Sequence, residues 1–279
     1  MNRRRASLPG RFSVMRRLIF ASLVAAYFFT SCMSSVQTVP ERLVENIKDN
    51  EIGLYFVLVK GGCFDMGCGD WAISCEENEK PLHKVCIDDF YMSKYEVTQG
   101  QWKKIMGENP AYFQGSANHP VETVTFSEVT KFIALLNEKT NNKYTLPSEA
   151  QWEYACREGG KDNVWSGVKS ENLLGEVAWY VKNSGYETQP VGTKNPNSLG
   201  LYDMSGNVSE FVLDDYVYDA YASYGQQNPI VKQSASADRV IRGGSLEGFS
   251  KQLRCLARFD VANDYKDNFF GFRLVSPAK

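Results

Sequence analysis

The chain has 279 residues, a formal net charge of −2 and only two histidines, His83 and His119. That excludes a multi-histidine metal centre, and near-neutral charge with no basic run beyond the extreme N-terminus argues against nucleic acid as a partner. The length is enough to bury a sizeable core, and seven cysteines leave an odd thiol to explain.

The N-terminus accounts for one of the seven. Residues 1–17 carry Arg3, Arg4, Arg5, Arg11, Arg16 and Arg17 and no acid, and an apolar run follows over 18–29. That run is well short of the roughly 20 residues a bilayer-spanning helix needs. A basic segment, a short apolar segment and small residues after it describe a cleaved export signal. The run ends Phe29-Thr30-Ser31-Cys32, which resembles a bacterial lipobox. Residues 1–31 are therefore expected to be removed, with Met15 an alternative start, and Cys32 to become the lipidated first residue, anchoring the chain to a membrane of the cell envelope. Residues 32–53 are polar apart from Leu43, Val44 and Ile47 and read as a tether to one domain over 54–279. The compartment beyond the inner membrane is oxidising, so the other six cysteines are expected in disulfides.

Within the domain, 54–60 alternates weakly before Gly61-Gly62, and 85–97 is β-branched and aromatic. Three helix starts are written as capping boxes, in which a side-chain oxygen and a side chain three positions on satisfy orphan amides. Thr98-Gln99-Gly100-Gln101 opens a helix that stops at Gly107. Thr125-Phe126-Ser127-Glu128 opens one with Val129, Phe132, Ile133 and Leu136 on a single face. Ser148-Glu149-Ala150-Gln151 opens a third through Arg157, ended by Gly159-Gly160. Residues 158–238 are dense in Gly, Asn, Pro, Asp and Tyr and read as structured loops. Strands are expected at 239–242, before Gly243-Gly244, and at 269–275. Few helices, short strands and long loops describe an irregular α+β domain.

Several stretches in fixed order carry a resemblance: Lys94-Tyr95-Glu96-Val97-Thr98-Gln99-Gly100-Gln101-Trp102, His119-Pro120-Val121, and Tyr144-Thr145-Leu146-Pro147-Ser148-Glu149-Ala150-Gln151-Trp152-Glu153-Tyr154-Ala155. After them come the stretch from Asn197-Ser198-Leu199-Gly200-Leu201-Tyr202 through Asp203-Met204-Ser205-Gly206-Asn207-Val208-Ser209-Glu210-Phe211, then Arg242-Gly243-Gly244-Ser245 and Gly271-Phe272-Arg273-Leu274. Together they resemble the formylglycine-generating enzyme (sulfatase-modifying factor) family over nearly all of 54–276. The resemblance implies a loop-rich α+β fold related to C-type lectin-like domains. It also implies an activity: founding members oxidise a cysteine of unfolded sulfatases using copper(I) held by two cysteine thiolates, soft ligands matched to that ion.

The thiolate pair is not found here. Gly248 stands where the first would be, the segment is shorter than in the enzymes, and no second catalytic cysteine follows. Cys255 instead matches a structural disulfide position of the family whose partner is Cys156. No copper is expected. Cys63, Cys68, Cys75 and Cys86 allow three pairings; Cys63–Cys86, joining two candidate strands, with Cys68–Cys75 inside it, is favoured. A four-thiolate zinc site is the rival, but the spacing lacks the paired short gaps such sites show.

The resemblance carries a calcium site onto Asp203, Gly206, Val208 and Glu210, the glycine and valine contributing carbonyls, as a hard cation prefers; the bland alternative is a tight turn. Neither histidine receives a catalytic role, and the tryptophans, Trp71, Trp102, Trp152, Trp165 and Trp179, are expected mostly in the core. In place of the catalytic groove stands 246–270, where Glu247, Phe249, Phe259, Asp260, Asn263, Tyr265 and Asn268 offer stacking area and adaptable hydrogen bonds suited to a protein or glycan ligand. Two further readings stay open. The run from Arg242 to Leu274 resembles the variable region of retroelement-diversified binding proteins of this fold, and an oxidase or another reaction on the scaffold is the enzymatic alternative.

Overall fold

The computed structural model describes residues 46–233 and 237–278; the expected export signal, Cys32 and residues 32–45 of the expected tether lie outside the described residues. In chain order the strands are β1 (Asn46–Asp49), β2 (Leu54–Val59), β3 (Gly62–Met66), β4 (His83–Ile87), β5 (Phe90–Ser93), β6 (Ser209–Asp215), β7 (Arg239–Arg242), β8 (Arg258–Val261), β9 (Phe270–Phe272) and β10 (Val275–Pro277). The helices are α1 (Gln99–Met106), α2 (Phe126–Thr140), α3 (Glu149–Cys156) and the single turn α4 (Leu174–Val177).

Three sheets result, ordered β1-β2-β5-β10, β3-β4 and β8-β7-β6-β9. The first is antiparallel throughout, so the last strand of the domain closes against β5 beside the first hairpin. In the third, β9 runs parallel to β6, which sets Arg273, just beyond it, against Glu210.

β1 corrects the domain boundary. It lies inside the stretch read as tether because Ile47 pairs with Phe56 across the β1–β2 ladder, Ile52 is buried, and Asp49 accepts a 2.6 Å hydrogen bond from the Tyr144 hydroxyl. The single run expected over 85–97 is two strands in different sheets. It breaks at Asp88 and Asp89, which are drawn off to Asn228 and Gly61. The 269–275 run likewise divides into β9 and β10. Within 158–238, expected as loops, lies β6, the centre of the third sheet.

All three capping boxes are present, at Thr98, Thr125 and Ser148, and Gly107 ends α1 in the left-handed conformation that glycine adopts without Cβ strain. The expected face of α2, Val129, Phe132, Ile133 and Leu136, is buried with Phe126. It packs into one apolar cluster with Trp102, Phe211 and Phe272; a second joins Val57, Val59, Met92 and Trp152 under sheets one and two.

The bridges are Cys63–Cys86 across β3 and β4, Cys68–Cys75, and Cys156–Cys255, so these four early cysteines are disulfides rather than zinc thiolates. Each staples a loop-rich part that short elements alone hold weakly.

Candidate functional site

The Gly243-Gly244-Ser245 turn sits on a buried charge cluster. α3 presents Glu149 and Glu153 one turn apart, facing inward. Arg258 meets Glu149 through Nε at 2.7 Å and a second nitrogen at 2.8 Å. Arg242 meets Glu153 at 2.6 Å, and Arg157 meets it at 2.9 Å; the side chains are essentially inaccessible. Burial pushes the Glu153 carboxyl up, but Arg242 and Arg157 more than offset that and hold it below the usual carboxylate range. Cys156–Cys255 ties the same helix to the segment after the turn. The segment that follows Ser245 is thus fixed at its root by charge and at its far end by a disulfide.

Between those anchors the chain packs tightly around Gly248, the position where the resemblance implies the first catalytic thiol. A Cβ on Gly248 would lie 2.7 Å from Leu253 Cδ1 and 3.1 Å from the Ser245 carbonyl oxygen, inside contact distance for carbon. Leu253 cannot easily yield, being fully buried in a cluster with Trp165, Leu174 and Tyr180. The Gly248 carbonyl accepts from Val181 N–H, Ser184 Oγ donates to Leu246 O at 2.7 Å, and Trp165 Nε1 donates to Ser250 O at 2.7 Å. Every cysteine among the described residues is in a disulfide.

The 203–210 turn is the second feature. Asp203 and Asn207 adopt positive φ of 54° and 60°. At Gly206 (φ 90°) a Cβ would stand 2.2 Å from the Trp179 carbonyl oxygen, so only glycine fits. Glu96 accepts from Asn207 Nδ2 at 2.6 Å and from Val208 N–H at 3.0 Å. Asp203 Oδ2 accepts from Gly192 N–H at 2.7 Å, whereas its buried Oδ1 has no partner. Burial first, then Asp203 and Glu210, push the Glu96 carboxyl well up, and burial pushes Asp203 up to about 6.

These residues fit a hard cation in one respect and not in another. Three buried carboxylates, Glu96, Asp203 and Glu210, face one guanidinium, Arg273, and an oxygen is left unpaired. Glu210, however, receives Arg273 at 2.7–2.9 Å on both oxygens and Trp152 Nε1 at 2.8 Å, which takes up a carboxylate's roughly four acceptor sites. Among the described residues no group of three His, Cys, Asp or Glu is arranged to hold a metal. Calcium here would depend on Asp203 with the Gly206 and Val208 carbonyls, less on Glu210 than the motif implies.

The residues chosen in 246–270 do not form one surface patch. Phe249 is 65% exposed and Glu247 is exposed on the segment packed against loops 164–184. Phe259 and Asp260 lie on β8 rather than on a loop. Phe259 and Phe269 pack on the α2 cluster, Asn263 accepts from Arg239 at 2.8 Å, and Tyr265, half exposed, donates to Asp267 at 2.8 Å. Asn268 is half-buried beside Asp267, whose carboxylate accepts its N–H. A groove of about 500 Å³ lined by Phe56, Leu58, Tyr91 and Tyr144 includes none of them. His119 Nδ1 lies 3.0 Å from Thr188 Oγ1, and His83 packs tilted against the Tyr221 ring and edge-on to Tyr224. Trp102, Trp152 and Trp165 are core; Trp71 and Trp179 are only half-buried, a difference that tryptophan identity alone does not signal.

The comparisons with known proteins agree with this geometry. Chaperone protein LppX of Paenibacillus barcinonensis is 31% identical over 244 residues, covering 70% of this chain and 79% of that one. The solved structure of Treponema denticola variable protein 1 superposes with a TM-score of 0.74 at 26% identity, covering 83% of this chain and 98% of that one. The structure of PvdO from Pseudomonas aeruginosa gives 0.76 at 26%, covering 84% and 98%. Residues 43–278 match the sulfatase-modifying factor enzyme 1-like domain, a start that agrees with β1 being part of the fold. The chain belongs to the sulfatase-modifying factor enzyme 1-like domain family.

Proposed function

We propose that the chain is an exported, lipid-anchored binding protein that keeps the family fold without its copper oxidase chemistry. One observation supports this reading: Gly248, where the resemblance places the first catalytic thiol, has its Cβ space filled by Leu253, and the domain cysteines are disulfide-bonded. Disulfides suit an oxidising compartment, and Cys32 supplies the anchor. The exposed Phe249 beside Glu247 offers a contact for a partner, and a relative named as a chaperone favours a protein over a glycan. Purified protein incubated with copper(I) and a cysteine peptide bearing a sulfatase motif is expected to leave the thiol unchanged by mass spectrometry. Aldehyde product would overturn the reading in favour of the oxidase.

The likeness to a protein named variable favours a second reading, in which the segment between Arg242 and Leu274 is diversified. A neighbouring reverse transcriptase gene with an imperfect repeat of that segment supports it; their absence ends it.

Calcium at the 203–210 turn belongs to the same proposal, supported by the unpaired Asp203 Oδ1 and the excess of buried carboxylate. Its role is to stiffen loops. Calcium at a hundred times its dissociation constant adds about 2.7 kcal/mol, so melting is expected several degrees higher in calcium than in EDTA. Equal melting temperatures count against it.

A further inference from the structure

One surface combines aromatic rings with lysines that make no salt bridge, although Lys194 Nζ donates to the Gly175 carbonyl at 2.6 Å. Lys48 faces Tyr55 across the β1–β2 ladder with its Nζ 5.2 Å from the ring centroid. Lys94 N–H donates to the Tyr55 carbonyl at 2.7 Å, and Tyr202 N–H to the Lys94 carbonyl at 2.9 Å, so the next pair follows directly, Lys94 Nζ 5.8 Å from the Tyr202 ring. Tyr95 packs on Tyr202 at 5.0 Å and closes tightly on Gly192, where a Cβ would meet its ring at 2.4 Å. Two residues on, Lys194 Nζ lies 3.8 Å over Trp179, whose Nε1 donates to Thr193. Tyr55 is 42% exposed, and Lys94, Tyr202, Trp179 and Lys194 are half-exposed. Among the described residues no carboxylate forms a salt bridge with Lys48, Lys94 or Lys194.

Rings with a polar tip prefer the boundary between hydrocarbon and water, and each lysine near an anionic leaflet is attracted to its headgroups. The described fold begins at Asn46, next to Lys48. From Cys32, residues 33–45 extend at most ~3.5 Å each, roughly 45 Å in all. On the lipid-anchor reading, the strip can therefore be no farther than that from the anchored surface, a short range that favours contact.

We infer that the Lys48–Tyr55, Lys94–Tyr202 and Lys194–Trp179 strip is a membrane-facing surface that seats the domain on anionic phospholipid headgroups. The inference rests on the lipid-anchor reading for its geometry, while the strip's chemistry stands apart from it. Seating the domain this way fixes which face it presents outward.

The test uses the full chain reconstituted into phosphatidylcholine vesicles containing brominated phosphatidylglycerol, whose bromine quenches nearby indoles. Trp102, Trp152 and Trp165 are buried, and Trp71, half-buried like Trp179, is replaced by Phe in every sample, so quenching is expected and is expected to disappear when Trp179→Phe is added, a change that keeps an aromatic ring. Replacing Lys48, Lys94 and Lys194 by Gln removes three headgroup attractions and is expected to shift the seated population on the order of a hundredfold, with melting temperature checked in parallel. Metabolic palmitate labelling of wild type and Cys32→Ala reads the anchor separately. A chain that takes no palmitate sinks the anchor alone, because Trp179-dependent quenching of the same chain mixed with vesicles still supports the strip. Unquenched Trp179 in a labelled chain overturns the strip. So does binding to an anionic glycan array that is lost in the triple variant while lipid quenching is absent, which would assign the surface to glycan.

Discussion

Arg258→Met is expected to lower the unfolding free energy by about 3–5 kcal/mol, because it strands a carboxylate with no route to solvent. Arg258 holds both oxygens of Glu149 at 2.7 and 2.8 Å, and both side chains are fully buried. The neighbouring Arg242 cannot substitute: its Nε lies 3.5 Å from Glu149 and its other contact is committed to Glu153. For a domain of this size the loss translates to a melting temperature lower by roughly 10 °C or more, readable by circular dichroism or calorimetry. Removing both partners, in Arg258→Met with Glu149→Leu, is expected to recover much of the loss, since the penalty lies in the unpaired charge. A double variant as unstable as the single one would mean the pair is held for packing rather than for charge.

Opening the Cys156–Cys255 bridge is the second large effect. Its sequence separation is 99, so the chain-entropy account gives about 4–5 kcal/mol lost in Cys156→Ala/Cys255→Ala. The bridge crosses from α3 to the segment after the Gly-Gly-Ser turn, so the loss should be felt first there. Hydrogen exchange is expected to rise over 246–258 before it rises in α2, whose face is packed independently. The Cys68–Cys75 bridge, with a separation of 7, closes a much shorter loop and should cost less by the same reasoning. Equal losses from the two bridges would argue that native-state packing, not loop entropy, sets their contribution.

How much of this was legible in the sequence depends on how local the cause is. The three helices were, because Thr98, Thr125 and Ser148 satisfy amides three residues away and the α2 face repeats at helical spacing. β7 was, with β-branched Val240 and Ile241 at its centre and two glycines to stop it. β6 was not: Ser-Glu-Phe-Val-Leu-Asp-Asp looks half polar, yet most of it is buried. What makes it a central strand is remote. Glu210 is neutralised by Arg273, Asp215 by Arg239, and Asp214, pushed up to about 7 chiefly by burial, accepts from Val231, Glu149 and Tyr224. No window along the chain contains those partners. β1 was hidden for a similar reason, since a four-residue strand is recognisable only once β2 lies beside it.

The candidate site divides along the same line. That residue 248 is glycine could be read directly, because identity at a position is a local fact. The ligand residues of 246–270 were chosen for composition, and composition does not say that Phe259 and Asp260 would be strand while Phe249 projects. The aromatic–lysine strip escaped notice because its members come from three separated segments, 48–55, 94–95 and 179–202, joined only by the fold.

The glycine at 248 constrains which substitutions this segment tolerates. Leu253 now occupies the volume a thiol side chain would need, and it does so as part of a closed apolar cluster. Placing cysteine at that one position would therefore destabilise the segment. Accommodating a side chain there requires Leu253 to shrink first, a step that by itself opens a cavity of the kind that costs about 2–5 kcal/mol. Neither change is favourable alone, so the two positions are locked together, and residue 248 can vary only in concert with residue 253.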